Sequence, residues 1–294
     1  MKITVVLYVV LMSAVGFSQM LDNSNGYAFT DQPFFNTSFI KANKIDTVRG
    51  KFIVRKPGKS FKRTEYIQEF VFDESGQLRS QRETFPDDGS SDTTATHYAY
   101  TDNGLLMQIR KRTLDGFVQT DFAHDSLGRV IQETVSKLYF ESNGASRATM
   151  LNNETYKYID LESQWRRVSF NSYGKPFLEE IFYEDEDGYL TQKKDIVKMT
   201  SKRFIHEYEY DDNGYLASMR KREDKSDVFL EEITFHYDEY GNLSEKQIFN
   251  KGEHVTDIQI IYNNKTGLLS SIVTRSLTTG ILAILQFKDY TYFD

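Results

Sequence analysis

Tyr210-Asp211-Asp212-Asn213-Gly214-Tyr215-Leu216 is followed, 27 residues on, by Tyr237-Asp238-Glu239-Tyr240-Gly241-Asn242-Leu243. The shared pattern is an aromatic residue, an acid, a Gly three residues after the acid, and an apolar residue two after the Gly. It occurs earlier as Phe72–Leu78 around Gly76, Tyr100–Leu106 around Gly104 (with Thr101 in the place of the acid), and His124–Val130 around Gly128. Tyr183–Leu190 around Gly188 and Tyr262–Leu269 around Gly267 read as copies with one extra turn residue. Phe170–Gly174 is a weaker copy, with Pro176 where the apolar residue belongs.

Working outward, the successive Gly spacings are 28, 24, 46, 14, 26, 27 and 26. The period is about 26 residues, the usual scale of a repeat architecture. The spacing of 46 implies a degenerate copy at Tyr158–Trp165, and 14 is a half unit. Half-period turn signals lie at Pro86–Gly89, Leu114–Gly116, Ser142–Gly144, Asn250–Gly252 and Thr278–Gly280. Between turns the residues alternate. Phe204, His206, Tyr208 and Tyr210 share one face while Ile205, Glu207 and Glu209 share the other, the period of half-buried strands. No segment has a capped 3.6-residue period. The chain therefore reads as all-β, a long curved or coiled antiparallel meander of hairpins.

Gly is the one residue common to every main turn, at positions 76, 104, 128, 174, 188, 214, 241 and 267. A type I′ turn would call for Asn-Gly throughout. A single obligatory Gly instead predicts a type I turn closed by one positive-φ residue with a β-bulge. The preceding Asp or Asn is placed to bond backbone N–H groups of the turn. Replacing Gly214 or Gly241 by Ala is expected to cost about 1 kcal/mol or more.

Residues 1–18 have the form of a secretory leader: Lys2, an apolar run from Ile3 to Ala14, and small residues Gly16 and Ser18 before Gln19. The run is shorter than the roughly 20 residues a membrane helix needs. Residues 19–44 lie outside the repeat and read as an N-terminal arm that plugs or caps the first strands. Residues 45–294 form the repeat domain, with a first hairpin turning near Pro57-Gly58. The expected location is exported, with no membrane span after leader cleavage.

The recurrent aromatic–Asp–x–x–Gly–x–Leu motif over residues 66–270 resembles that of the YD-repeat (Rhs-type) family. The resemblance implies β-hairpin strips that coil into open or closed shells in exported or cell-surface proteins, several of them carbohydrate-binding. It does not extend to a toxin payload.

Composition narrows the chemistry. The 294 residues include no Cys, 42 aromatics and a net charge of −7. Disulfide frameworks, thiolate metal sites and thiol nucleophiles are excluded. The mild acidity gives no electrostatic footprint for nucleic acid or an anionic membrane. The five His show no metal spacing, and no cofactor motif is present. Acids cluster at the turns, as in Glu184–Asp187, where turn formation is a better explanation than weak Ca²⁺ binding. Glu179-Glu180 and Glu231-Glu232 are adjacent strand residues facing opposite ways, so neither doublet is a catalytic pair. Arg110-Lys111-Arg112 and Arg220-Lys221-Arg222 read as solvated edge-strand charges. A membrane barrel is disfavoured because Leu78–Glu83 and Leu243–Gln247 charge both faces of their strands.

The functional expectation is a non-enzymatic exported scaffold contacting glycan or protein, with Tyr189, Tyr215 and Tyr240 as candidate sugar-stacking residues. Two alternatives are a carbohydrate-active enzyme with carboxylates on a concave face, and a carrier or immunity partner of an exported toxin.

Overall fold

The computed structural model describes residues 19–294 except 31, 88–89, 114–115, 141–145 and 162–163, together with the side chains of 85–87, 90–93, 140 and 146. The leader at 1–18 and the half-turns at Pro86–Gly89, Leu114–Gly116 and Ser142–Gly144 lie wholly or partly outside the described residues.

Among the described residues, one short helix, α1 (Thr37–Ala42), precedes eighteen strands. The first six are β1 (Ile45–Arg55), β2 (Lys62–Phe72), β3 (Leu78–Asp87), β4 (Ser90–Tyr100), β5 (Leu106–Thr113) and β6 (Gly116–His124). Then follow β7 (Val130–Phe140), β8 (Ser146–Asp160), β9 (Gln164–Phe170), β10 (Pro176–Glu184), β11 (Leu190–Val197) and β12 (Arg203–Tyr210). The last are β13 (Leu216–Glu223), β14 (Phe229–Tyr237), β15 (Leu243–Asn250), β16 (Glu253–Tyr262), β17 (Leu269–Ser276) and β18 (Leu282–Tyr292). Every strand pairs antiparallel with its neighbours in sequence, and β18 pairs with β1 from Ile45↔Tyr292 to Arg55↔Leu282.

The all-β meander is therefore present, but it is not an open coiled strip. It closes into an 18-stranded barrel. Closure leaves no unpaired edge, the feature that makes open sheets prone to association. It also corrects the reading of the two Arg-Lys-Arg stretches as edge charges. Arg220 instead pairs across strands with Glu209 and Glu232, at 2.9 and 3.0 Å, and Arg222 with Glu207 at 2.9 Å.

The main turns are built as their residues dictate. At the β2–β3 turn, Gly76 N–H donates to Asp73 O at 2.8 Å, and Asp73 Oδ1 accepts from the N–H of Ser75 and Gln77. Asp125, Asn171, Asp185, Asp211 and Asp238 accept two backbone N–H bonds in the same way. All eight Gly have φ between +69° and +88°, and bulges accompany the turns. Two details differ from the sequence reading. The Gly188 turn has normal length, with Glu184 rather than Tyr183 in the aromatic position opposite Leu190. The Gly174 turn joins β9 to β10, so strand alternation puts it at the opposite end of the barrel from the other seven. The degenerate Tyr158–Trp165 copy takes the vacant place at the main-turn end.

The repeat's aromatic residue has a second role. The hydroxyl of Tyr100 donates to Leu78 O, Tyr158 to Val130 O, Tyr210 to Leu190 O, Tyr237 to Leu216 O and Tyr262 to Leu243 O, all at 2.8–3.1 Å. Each bond ties one turn to the turn before it, which explains Tyr rather than Phe at these positions. Burial raises the pKa of Tyr262 and, to about 12, that of Tyr237. Tyr262→Phe should lower stability by about 1 kcal/mol in chemical denaturation, the net worth of one such bond. An unchanged midpoint would mean that this ladder contributes nothing.

An 18-stranded barrel is too wide for wall side chains alone to fill its lumen. Here the arm fills it at the main-turn end. Met20, Leu21, Ala28, Phe34, Phe35, Phe39 and Ile40 are buried in one cluster with wall residues Phe70, Phe72, Leu78, Leu243, Leu269 and Phe287. Asn36 caps α1 by accepting from Ser38 and Phe39 N–H, a helix too short to show a periodic pattern in the sequence. The arm's contacts identify the inward face of each strand. On β2 it holds Gln68, Phe70 and Phe72. The bulge at Arg79 then turns Gln81 and Glu83 inward and Ser80 and Arg82 outward, so Glu83 and Arg79 do not share a face as simple alternation suggests. The outer face carries paired charges. Glu69 is held by Arg49 and Arg82 in addition to the Arg220 and Arg222 pairs. Acyl chains do not solvate such a belt.

Candidate functional site

The arm leaves two cavities between itself and the wall. The larger, about 430 Å³, lies between Phe29, Thr30 and Phe34 of the arm and strands β1–β3 and β16–β18. Phe52, Ile258, Ile272, Ala283 and Leu285 give it apolar walls, while Gln68, Gln81, Glu83 and Thr274 supply polar groups. Glu83 Oε1 accepts from Gln68 Nε2 and Gln81 Nε2, each at 3.0 Å. These two bonds fix three polar side chains on one side of a space with mixed lining, to which Thr30 and Thr274 add hydroxyls. That combination of apolar lining and a few placed polar groups is characteristic of ligand sites.

The second cavity, about 390 Å³, lies between Tyr27 and Gln32 of the arm and strands β5–β9. Leu106, Phe122, His124, Glu133, Tyr156 and Arg167 line it. Tyr156 donates toward Glu133 and Glu154 at 3.2 Å. From Arg167 a chain of charges runs along the inner wall. Arg167 Nε donates to Glu180 at 2.5 Å, Lys193 lies 3.4 Å from Glu180 and 3.1 Å from Asp195, and His206 Nε2 is 2.8 Å from Asp195. Burial works against the Arg167 charge, but the hydrogen bond and attraction from Glu180 raise its pKa above the ordinary arginine value. Burial likewise opposes charge on Asp195, and the His206 bond with the nearby Lys193 brings its pKa below the usual carboxylate value. Asp195 is thereby stabilised as an anion. That is the opposite of the raised pKa a proton-donating carboxylic acid needs.

Between the cavities, Lys246 Nζ donates to Ala28 O at 2.9 Å and fixes the arm to the wall. Burial lowers its pKa. Asn23 Nδ2 donates to the Tyr237 hydroxyl at 3.0 Å, a second anchor.

The residues singled out in the sequence are placed differently from one another. Tyr189 packs on Tyr210 at 4.7 Å and Tyr215 stacks on Tyr237 at 4.8 Å. Each also covers the Gly of the next turn, so a Cβ at Gly214 or Gly241 would meet the Tyr189 or Tyr215 hydroxyl at 2.4 or 2.3 Å. These two rings serve the repeat itself. Tyr240 is 59% exposed and Tyr189 38% exposed. The three sit in successive turns at one end of the barrel, and none lines either cavity. The Glu doublets split across the wall as expected. Glu180 meets Arg167 inside, whereas Glu179 pairs with Lys198 and Arg166 outside. The turn acids Asp73, Asp185, Asp211 and Asp238 use Oδ1 to close their turns. The lumenal residues Gln68, Gln81 and Glu83 carried no motif. Their convergence within the β2–β3 hairpin depends on the bulge in β3.

No family model and no curated protein matches the chain. Among solved structures it is similar to a porin-like protein from Bacteroides uniformis, with 11% identity over 84% of this chain and 96% of that one and a TM-score of 0.40. A porin-like protein from Bacteroides vulgatus gives 10% identity over 81% and 96%, with a TM-score of 0.33. The TcdB2-TccC3 complex gives 12% identity over 79% of this chain and 15% of that one, with a TM-score of 0.18. Likeness at this level assigns no function.

Proposed function

We propose that the chain is an exported, non-enzymatic barrel scaffold of the YD-repeat type whose lumen holds a small amphiphilic ligand. Export rests on the leader pattern of residues 1–18, and the repeat affiliation on the aromatic–Asp–x–x–Gly–x–Leu turns. The observation that carries the reading is the cavity in which Phe29, Phe34, Phe52, Ile258 and Leu285 face the Glu83–Gln68–Gln81 cluster. The apolar walls suit a short alkyl or ring face. The amides and carboxylate suit a hydroxylated head such as a sugar.

An uncharged naphthylamine fluorophore should bind saturably and be displaced by octyl glucoside below its micellar concentration. Ala283→Trp, which places an indole in this cavity, should abolish binding while the circular dichroism spectrum stays that of the parent. Absence of saturable binding, or binding that survives Ala283→Trp, would rule the site out.

A further inference from the structure

We propose that the end of the barrel opposite the arm docks on an anionic lipid surface. The chain as a whole is acidic, but its charges are segregated between the two ends. Among the described residues, the seven complete connections at the arm end (73–77, 101–105, 125–129, 185–189, 211–215, 238–242 and 263–268) hold eleven acids and two bases. The six complete connections at the other end (56–61, 171–175, 198–202, 224–228, 251–252 and 277–281) hold seven lysines and two aspartates. One of those aspartates, Asp224, is already paired with Lys194 and lies near Arg203.

The basic end also carries exposed apolar side chains at its loop tips. Tyr173 and Met199 are each 87% exposed, and Phe61, Val228 and Leu277 are also exposed. Neighbouring turns are held side by side. Pro57 lies against Gly280, Leu277 N–H donates to Val255 O, Lys251 N–H to Leu230 O, and Asp224 N–H to Arg203 O. The β1–β2 connection is the densest part. From Arg55 to Arg63 it has five cations and no acid, all five exposed, with the Arg55 guanidinium 4.9 Å over the Phe61 ring.

Cations alone would suit any polyanion. Cations alternating with protruding Phe, Met, Tyr, Val and Leu tips suit an interface whose charged plane lies above an apolar layer, as in a bilayer with anionic headgroups. The acidic arm end is repelled by the same surface, so the two poles set one orientation.

The test is co-sedimentation of the full exported chain with vesicles of phosphatidylcholine containing about one-third phosphatidylglycerol, compared with phosphatidylcholine alone. Binding should require the anionic lipid and weaken with added salt. The Lys56→Glu, Lys59→Glu, Lys62→Glu triple variant should lower partitioning by about tenfold or more. Phe61→Ser with Met199→Ser should also lower it while leaving the salt dependence in place. All the substituted side chains are exposed, and circular dichroism checks that the fold is kept. Equal binding to both vesicles, or no effect of the charge reversal, would overturn the proposal. So would binding to soluble dextran sulfate as tight as to vesicles with no effect of the Ser variants, which would instead assign the surface to a soluble polyanion.

Discussion

Phe70→Ala is expected to lower the unfolding free energy by about 3–5 kcal/mol, the cost of emptying a large buried aromatic site. Phe70 is 1% exposed and sits where three parts of the molecule meet. Its ring contacts Phe35 of the arm at 4.8 Å edge-to-face, Phe34 at 6.0 Å, and Phe287 on the closing strand β18 at 6.4 Å. The arm cannot slide in to refill the space, because Lys246 and Asn23 hold it elsewhere along the wall. Urea denaturation of parent and variant measures the loss. A value below about 1.5 kcal/mol would mean that the site collapses or that the arm contributes little. A cycle with Phe35→Ala should show coupling of about 0.5–1.5 kcal/mol, since the rings interact beyond their shared burial. Limited proteolysis gives an independent readout. Cleavage within residues 19–44 should appear in Phe70→Ala at protease levels that spare the parent.

Gly76→Ala is expected to cost about 2–4 kcal/mol, and Gly174→Ala only about 1 kcal/mol. Both glycines close the same kind of turn at positive φ, +88° and +70°. The strain of an L-residue there is common to both. They differ in their surroundings. A Cβ at Gly174 meets nothing within 4 Å, whereas one at Gly76 would lie 2.1 Å from Thr37 O and 3.0 Å from Lys41 N. Those atoms belong to the backbone of α1, which cannot rotate aside as a side chain would. The difference between the two losses in thermal or chemical denaturation therefore measures how tightly the arm is seated. Equal losses would contradict the close approach of α1 to the β2–β3 turn.

Much of the fold follows from local chemistry. Gly at positive φ, Asp, Asn or Thr closing each main turn, and the alternation of Phe204, His206, Tyr208 and Tyr210 depend on neighbours a few residues apart, so they can be read along the chain. The candidate site depends on something else. Gln68, Gln81 and Glu83 converge only because a bulge at Arg79 shifts the parity of β3. A bulge inserts one residue and reverses the facing of everything beyond it. Tyr189 and Tyr215 are legible as turn aromatics, but not as covers for the glycine of the following turn, because that contact crosses between repeats. The charge poles had a readable signal. Acids dominate one set of connections, while in the alternate set seven lysines outnumber five acids, and the net charge of −7 averages over both. Hairpin alternation sends the two sets to opposite ends.

The sequence by itself determined an antiparallel hairpin repeat, its turn chemistry and an arm outside the repeat, because each of these is set by backbone preferences and hydrogen bonds over a few residues. Tertiary structure alone decided that the meander closes, since closure depends on curvature accumulated over eighteen strands until Tyr292 reaches Ile45. It also decided that the arm enters the lumen. A ring of that width leaves a space its own side chains cannot fill, and the buried faces of Phe34, Phe35 and Ile40 fill it.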